Sequence, residues 1–314
     1  MKKLAVILPC YNEEEILPTT IKKMTTLLDE MIKEKKISSN SKLCFVNDGS
    51  CDKTLSILLQ EEKKNKHIGV INLSRNFGHQ GAILAGMFNV KADLYVTIDA
   101  DLQDNPDCIK DMLTKIDEGC DIVYGVRATR NKDSFFKRTT ALAYYRLLKL
   151  LGVNIVYNHA DFRMMTARAV ETLKQFPERN LFLRAIIPLV GFKSAQVKYD
   201  RTARVAGQTK YPLKKMVALA WNGVSNFSIV PLRLVTFVGF LLCFLSMVFI
   251  GYVTYRWSVR GTIVGWASLV TIITAFSGVQ MVSLGIIGEY LAKVFVEVKK
   301  RPLWIVESKS GLDD

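Results

Sequence analysis

The sequence predicts an α/β protein with a mainly parallel sheet, followed by a carboxy-terminal membrane segment. Between residues 4 and 124, five short apolar runs alternate with polar or amphipathic stretches of helical length, which is the pattern of repeated βα units. Hydrophobic letters make up 49% of the 314 residues and concentrate after residue 230, which argues against a fully soluble protein. Lys and Arg outnumber Asp and Glu by 43 to 29, and the resulting net charge of +14 favours a polyanionic partner such as nucleic acid or anionic lipid. This composition excludes disordered and collagen-like chains.

The predicted strands are short, mostly apolar runs bounded by polar residues. They cover residues 4–8, 43–46, 69–73, 94–98 and 122–124, and helices are predicted between them over 14–35, 51–63, 80–90 and 106–118. The first run follows two lysines, but its five residues are fewer than the roughly seven to fifteen of a signal peptide. It is therefore interpreted as a buried strand.

Two uncharged runs near the carboxyl end, residues 234–255 and 261–288, are 22 and 28 residues long. About 20 residues span the hydrocarbon core of a bilayer, so the sequence predicts two transmembrane helices; the alternative is a buried hairpin of a large soluble core. Basic residues are more numerous on the outer flanks of the two runs, four on each side, than in the loop between them, which has two; this predicts that both ends of the chain lie in the cytoplasm. The basic residues are Lys210, Lys214, Lys215 and Arg233 before the runs, Lys293, Lys299, Lys300 and Arg301 after them, and Arg256 and Arg260 between them.

The predicted organisation has four parts. They are a cytoplasmic domain over 1–211, an interfacial helix over 212–230, two transmembrane helices over 231–290 and a basic cytoplasmic tail over 291–314. Within the first part, residues 135–151 have the spacing of a basic amphipathic helix on lipid headgroups, although an ordinary surface helix explains that spacing equally well. The expected location is the cell (inner or plasma) membrane, with several passes and the large domain in the cytoplasm.

Cysteine and histidine patterns argue against two classes of site. The six cysteines contain no CxxC pair, so neither a zinc ribbon nor a disulfide framework is indicated, and reduced cytosolic thiols are expected. His67, His79 and His159 are scattered without ligand spacing, which argues against a zinc enzyme.

Polar residues follow each of the first four predicted strands. These segments are 9–13, 47–50, 74–78 and 99–103. In open α/β sheets, ligands bind beyond the carboxyl ends of the strands, so the four segments predict one binding site. Taken alone, Asp48 and Gly49 look like turn residues. Asp99-x-Asp101 alone is weak evidence for a metal site, but its position at the end of an apolar strand strengthens that evidence.

The pair Asp99 and Asp101 has the chemistry of a divalent-metal site. Mg²⁺ and Mn²⁺ take oxygen ligands and typically use one or two carboxylates together with substrate phosphates. A metal held there would neutralise charge that develops on a leaving diphosphate. The sequence therefore predicts a nucleotide-diphosphate donor and Mg²⁺ or Mn²⁺ as cofactor.

Six motifs in this order carry a resemblance to a known family. They are Pro9-x-Tyr11-Asn12-Glu13, Val46-Asn47-Asp48-Gly49-Ser50, Asn76-Phe77-Gly78, Asp99-Ala100-Asp101-Leu102-Gln103-Asp104, Ala160-Asp161-Phe162-Arg163 and Arg204-x-x-Gly207-x-Thr209-Lys210-Tyr211. With them, nearly the whole chain resembles family 2 inverting glycosyltransferases, and more closely the polyprenyl-phosphate glycosyltransferases, which include the bactoprenol glucosyltransferases and dolichol-phosphate mannose synthase. The chain departs from the pattern at Gln208-Thr209, where relatives commonly carry an acidic residue and serine.

The resemblance implies a GT-A fold that binds a UDP-sugar, and it implies roles for individual residues. Pro9, Tyr11, Glu13 and Asp48 would hold the nucleoside, while Asp99 and Asp101, with Gln103 nearby, would handle the metal and diphosphate. Arg127, Arg163, Arg204 and Lys210 would meet phosphates of donor or acceptor, and Asp161 would orient the acceptor or act as a base. The acceptor implied is a polyprenyl phosphate such as undecaprenyl phosphate, and the sugar is glucose or N-acetylglucosamine. Homo-oligomeric assembly, as a tetramer, is also implied.

Three other functions are weighed against this one. A processive polysaccharide synthase would share the donor domain, but its Gln-x-x-Arg-Trp motif is absent, since position 253 is Val and Arg256-Trp257 falls in the predicted outer loop. A catalytically idle membrane scaffold is disfavoured by the intact aspartate pair. Nucleic-acid binding would explain the charge but not the apolar runs, and no aromatic-basic recognition motif is present.

Overall fold

The computed structural model of the chain describes residues 1–127, 159–179, 181–200, 230–260 and 265–312. The chain divides into two compact units. The sheet unit comprises Met1–Lys149, Asn154–Pro212 and Arg301–Asp314, and the helix unit comprises Leu150–Val153 and Leu213–Lys300.

The sheet unit contains every strand that the structure describes. These strands are β1 (Leu4–Cys10), β2 (Lys42–Asn47), β3 (Ile68–Leu73), β4 (Leu94–Thr97), β5 (Ile122–Arg127), β6 (His159–Thr166), β7 (Ser194–Tyr199) and β8 (Val306–Ser310). Its helices are α1 (Leu17–Lys33), α2 (Thr54–Lys64), α3 (His79–Asn89), α4 (Cys108–Asp117), α5 (Ala167–Leu173) and α6 (Leu183–Leu189). All five predicted strands and the four predicted helices between them are present, with ends shifted by a few residues.

The eight strands form one sheet in the order β7-β5-β6-β4-β1-β2-β3-β8. β1 to β4 are mutually parallel, as are β5 and β7, whereas β6 and β8 run antiparallel to their neighbours. The predicted mainly parallel α/β sheet is therefore confirmed. The carboxyl ends of β1, β2, β3 and β4 lie at the same edge of this sheet.

Burial explains why the first strands were readable from the sequence. Every residue of β1 and β3 is buried, so each reads as a nearly continuous apolar run. α1 covers the sheet with an apolar stripe at helical spacing, which includes Leu17, Ile21, Met24 and Leu28. These side chains join the strand residues in the main hydrophobic core.

α3 contacts the sheet at a glycine, Gly86. A methyl group at Gly86 would overlap the side chain of Ile7 in β1 and would press on that of Val46 in β2. The absence of a side chain at this position therefore sets the distance between α3 and the two strands.

The last described residues, 301–312, return to the sheet unit and are called the carboxy-terminal tail. β8 within this tail pairs antiparallel with β3, with Val70 opposite Ser310 and Asn72 opposite Ser308. The tail was predicted only as a basic cytoplasmic segment from residue 291, but the structure continues the preceding helix to Lys299 and then forms an edge strand.

The helix unit contains two long helices, α7 (Val230–Arg260) and α8 (Trp266–Lys299). Among the described residues, Ala275–Lys299 is long and apolar enough to cross a membrane, and Val235–Phe249 in α7 is a shorter apolar stretch. One helix of spanning length and composition is thus found, and the second span stays a prediction. The predicted interfacial segment 135–151 lies outside the described residues, as does the predicted interfacial helix 212–230 except for Val230, which begins α7.

We expect Gly86→Ala to lower the stability of the sheet unit by about 1–3 kcal/mol, because the added methyl group overpacks the contact between α3 and the sheet. Denaturant unfolding of the purified full chain measures the change, with the exposed Gln60→Ala in α2 as the control. Equal stability of the two variants would contradict the close packing assigned to Gly86.

Candidate active site

The loops after β1 and β2 are tied together by hydrogen bonds. The backbone N–H of Asn12 donates to Ser50 Oγ at 3.0 Å, and that of Glu13 donates to Thr54 Oγ1 at 2.9 Å. Asn12 adopts a left-handed conformation with φ 54°, which a hydrogen-bonded Asn tolerates. The loop therefore holds Tyr11, whose side chain is 46% exposed, at the edge where ligands bind in such sheets.

Asp48 ties the loop after β2 to the loop after β3. Its carboxylate is buried and accepts the backbone N–H groups of Phe77 at 2.7 Å and Gly78 at 3.0 Å. Burial raises the pKa of Asp48 above its usual range, although these two hydrogen bonds act in the opposite direction. The neighbouring Gly49 has φ 66°, and a Cβ there would collide with the backbone of Arg75. The turn residues of this motif therefore shape the site, and the contact of Asp48 with a nucleoside stays a prediction.

The aspartate motif lies directly after β4. The backbone N–H of Gln103 donates to Asp101 Oδ1 at 3.1 Å, and Leu102 between them has φ 54°. Asp99 Oδ1 lies 3.2 Å from Nε2 of His79, which is the first residue of α3. Burial opposes protonation of His79, but Asp99 and Asp161 outweigh it and raise its pKa.

The aspartates fit a divalent cation that is completed by substrate oxygens. Asp99 Oδ1 is buried, and its contact with His79 Nε2 at 3.2 Å lacks the geometry of a hydrogen bond, so a cation that binds this oxygen would compete with His79. Within those residues no cluster of three or more His, Cys, Asp or Glu side chains is arranged as a complete metal site. Two carboxylates with phosphate oxygens and water are the usual ligand set of Mg²⁺.

β6 brings a charged cluster beside the end of β4. The two strands pair antiparallel, with Arg163 opposite Thr97, and Thr97 Oγ1 donates to the carbonyl of Asp161 at 2.6 Å. The Asp161 carboxylate accepts from Arg163 and, at 2.9 Å, from Arg184 Nη2, while His79 Nε2 lies 3.9 Å away. Acidic and basic groups thus alternate along one edge of the sheet.

The charges around Asp161 decide its protonation. Burial alone would raise the pKa of Asp161, but Arg163 and Arg184 outweigh it and hold the pKa well below the usual range. Asp161 is therefore ionised at neutral pH and a poor proton acceptor. Arg163 is 1% exposed, and its Nε and Nη1 atoms have no hydrogen-bond partner in the described structure, so Asp161 is the principal compensation for a buried charge.

Arg127 belongs to a second polar cluster at the end of β5. Tyr199 donates its hydroxyl to Asp104 Oδ1 at 2.5 Å, and Arg127 Nη2 lies 3.3 Å from the same oxygen. Asp104 is almost fully buried. This cluster joins the last residue of the aspartate motif to β5 and β7, and the role of Arg127 toward phosphate stays a prediction.

The structure places the predicted site residues in two neighbouring groups. Tyr11, Glu13 and Asp48, with Pro9 inside β1, lie at the ends of β1 and β2, while Asp99, Asp101, Gln103, Asp161 and Arg163 lie at β4 and β6. Arg204 and Lys210 lie outside the described residues. Sequence reasoning missed His79 and Arg184. His79 directly follows the Asn76-Phe77-Gly78 motif, and this position is the signal in the sequence for a role in the site, whereas metal-ligand spacing gives none.

Comparisons with known proteins agree with this arrangement. The family model "Glycosyl transferase family 2" matches residues 5–174, which is more than half of the chain. The "Uncharacterized glycosyltransferase YkoT" of Bacillus subtilis is 48% identical over 307 residues, covering 97% of this chain and 91% of the relative. The "Prophage bactoprenol glucosyl transferase homolog" of Escherichia coli is 34% identical, covering 97% and 98%. The "Bactoprenol glucosyl transferase" of Shigella phage SfX is also 34% identical, covering 98% and 99%.

We expect Asp161→Asn to destabilise the sheet unit by about 3–5 kcal/mol, because it leaves the buried Arg163 without a counter-charge. Glu171→Gln is the matched control, since it breaks an exposed pair with Lys174 and pairs of that kind contribute little. Denaturant unfolding of both variants measures the difference. A loss for Asp161→Asn no larger than that of the control would contradict the compensating role.

Proposed function

The chain belongs to glycosyl transferase family 2, and from that premise we propose that it transfers one sugar from a UDP-sugar to a polyprenyl phosphate, with inversion at the anomeric carbon. The observation that carries the proposal is the edge formed by β1, β2, β4 and β6, where two aspartates suited to a metal lie beside a cationic cluster of the buried Arg163 with the partly exposed Arg184 and His79. Undecaprenyl phosphate is the proposed acceptor. Glucose is the first candidate sugar, because two of the relatives are named glucosyl transferases, and N-acetylglucosamine is the second.

The proposed donor subsite uses the rigid loops after β1 and β2. Tyr11 and Glu13 sit on a loop fixed by Ser50 and Thr54, and a loop that is already ordered loses little freedom when a nucleoside binds. Asp99 and Asp101 would hold Mg²⁺ or Mn²⁺. When bound, this cation supplies neutralisation of the charge on the leaving diphosphate.

The proposed reaction needs no general base. The acceptor phosphate is ionised at neutral pH, so its oxygen attacks the anomeric carbon, the new carbon–oxygen bond forms, and UDP departs with the electron pair of the bond that breaks. The site must bring two anions together, the acceptor phosphate and the donor diphosphate. A guanidinium group suits this task because it binds two phosphate oxygens at once. The low pKa of Asp161 supports an orienting role, in which it holds Arg163 and Arg184 in place rather than removing a proton.

We also propose that both α7 and α8 cross the membrane, in agreement with the multi-pass location predicted from the sequence. The tail pairs with β3, so the chain before α7 and the chain after α8 lie on the same side of any membrane that it crosses. An odd number of crossings would separate the two paired strands. A crossing by α8 therefore calls for a second one, which α7, with 31 residues, is long enough to provide. The basic flanks favour a cytoplasmic location for the sheet unit. Assembly as a homo-tetramer stays a prediction.

We expect a Gly265→Cys variant to react with a membrane-impermeant maleimide in intact spheroplasts, because two crossings place the start of α8 outside. Cys51 is exposed on the sheet unit and should react only after lysis, which makes it an internal reference. Reaction of residue 265 only after lysis, in parallel with Cys51, would contradict two crossings.

We expect the detergent-solubilised chain to move labelled sugar from one UDP-sugar into the lipid phase with undecaprenyl phosphate, and only when Mg²⁺ or Mn²⁺ is present. Asp101→Asn should lower the rate about a hundredfold or more, because one of the two carboxylates that would hold the metal is lost, and with it the neutralisation of the leaving diphosphate. Asp117→Asn, which alters an exposed pair with Lys2, is the control and should leave the rate unchanged.

The same assay separates the alternatives. Products that carry many sugars would indicate a processive polysaccharide synthase, and no transfer from any sugar by folded protein would indicate an idle membrane scaffold. Full metal-dependent transfer by Asp101→Asn would leave the reaction in place but would contradict the metal assignment.

A further inference from the structure

We propose that Glu307 in the carboxy-terminal tail is a positioning residue for the donor subsite. Its carboxylate sets the direction of a side-chain hydrogen-bond relay through Asn72 and Asn47 to the loop at Ser50. The inference rests on the proposed function, because it assumes that the loops after β1 and β2 hold the nucleotide.

The relay crosses three strands of the sheet. Asn72 Nδ2, in β3, donates to Glu307 Oε2 of β8 at 2.8 Å. Asn47 Nδ2, at the end of β2, donates to Asn72 Oδ1 at 2.8 Å. Both asparagines are buried, so each amide group must satisfy its hydrogen bonds inside the protein.

The carboxylate fixes the polarity of the relay. An ionised carboxylate only accepts hydrogen bonds, so the amide of Asn72 must turn its nitrogen toward Glu307 and its oxygen toward Asn47. Asn47 must then donate to Asn72, and its own oxygen is left to face the loop. Without an acceptor in the tail, either amide could turn over, because an asparagine side chain has nearly the same shape in both orientations.

The relay ends at the loop that the donor subsite uses. Asn47 Oδ1 accepts the backbone N–H of Ser50 at 3.4 Å, and Ser50 Oγ in turn accepts the backbone N–H of Asn12. Asn12 is the residue between Tyr11 and Glu13. A reversed Asn47 amide would present N–H to the N–H of Ser50, and the repulsion would move the loop.

The tail is held in place by contacts other than the Glu307 side chain. The backbone N–H of Ser74 donates to the carbonyl of Ile305 at 3.0 Å, and Lys42 Nζ donates to the carbonyl of Gly311 at 2.8 Å. Trp304 packs edge-to-face on Phe88 with ring centroids 5.7 Å apart. Removing the carboxylate should therefore leave the strand paired, which separates a positioning role from a structural one.

The test compares Glu307→Ala and Glu307→Gln in the full-length chain, with Lys309→Gln on the same strand as the matched control. UDP affinity is measured by calorimetry with Mn²⁺ present, and the KM values for UDP-sugar and undecaprenyl phosphate are measured separately. We expect Glu307→Ala to weaken UDP binding and raise the UDP-sugar KM about fivefold to tenfold, with kcat and the acceptor KM within about twofold. Glu307→Gln retains an acceptor oxygen and should recover most of the loss, and Lys309→Gln should match the unchanged protein.

Two results would overturn the inference while the proposed function stands. One is UDP affinity unchanged in Glu307→Ala, and the other is an equal loss for donor and acceptor accompanied by a lower unfolding temperature, which is the signature of a structural role. Failure of the unchanged protein to bind UDP would overturn the proposed function itself and this inference with it.

Discussion

The antiparallel pairing of β6 with β4 is the constraint on which the rest of the site depends. It inserts a strand that carries Asp161 and Arg163 into a sheet whose other central strands are parallel. It thereby brings the buried Arg163 guanidinium beside the end of β4, where Asp99 and Asp101 follow. A buried charge in that position is stable only with a partner of opposite sign, so the Asp161 carboxylate pairs with Arg163 and Arg184. The low pKa that follows makes Asp161 an electrostatic element of the site rather than a proton carrier.

The two halves of the site are built by different physical means. At β1 and β2 the loops are ordered by backbone N–H groups that donate to Ser50, Thr54 and Asp48. At β4 and β6 the order comes from charge, with carboxylates and guanidinium groups in contact. A neutral nucleoside suits the first kind of surface and phosphates suit the second, so the division agrees with a substrate that has both parts.

The apolar strands and the motif residues at their ends could be predicted from the sequence, because complete burial leaves a continuous apolar run and because parallel strands end at one edge. β6 could not, since its letters include Asp161 and Arg163, whose burial depends on partners distant in sequence. β8 is a polar edge strand, Val-Glu-Ser-Lys-Ser, and nothing local distinguishes it from a solvated tail. His79 lies in the site because α3 begins where β3 ends, yet its partners Asp99 and Asp161 are contributed by β4 and β6, and no spacing rule connects the three.

The position of β8 in the chain, after both long helices, has a consequence for biosynthesis. Chains fold from the amino terminus as they emerge from the ribosome, so β1 to β7 are made well before β8, and β3 remains an open edge during that interval. Open strand edges are where chains associate wrongly. β3 is covered by β8 only after both long helices have been synthesised. A chain that stalls before residue 306 would therefore leave β3 unpaired, so the pairing of this strand is coupled to synthesis of the two apolar helices.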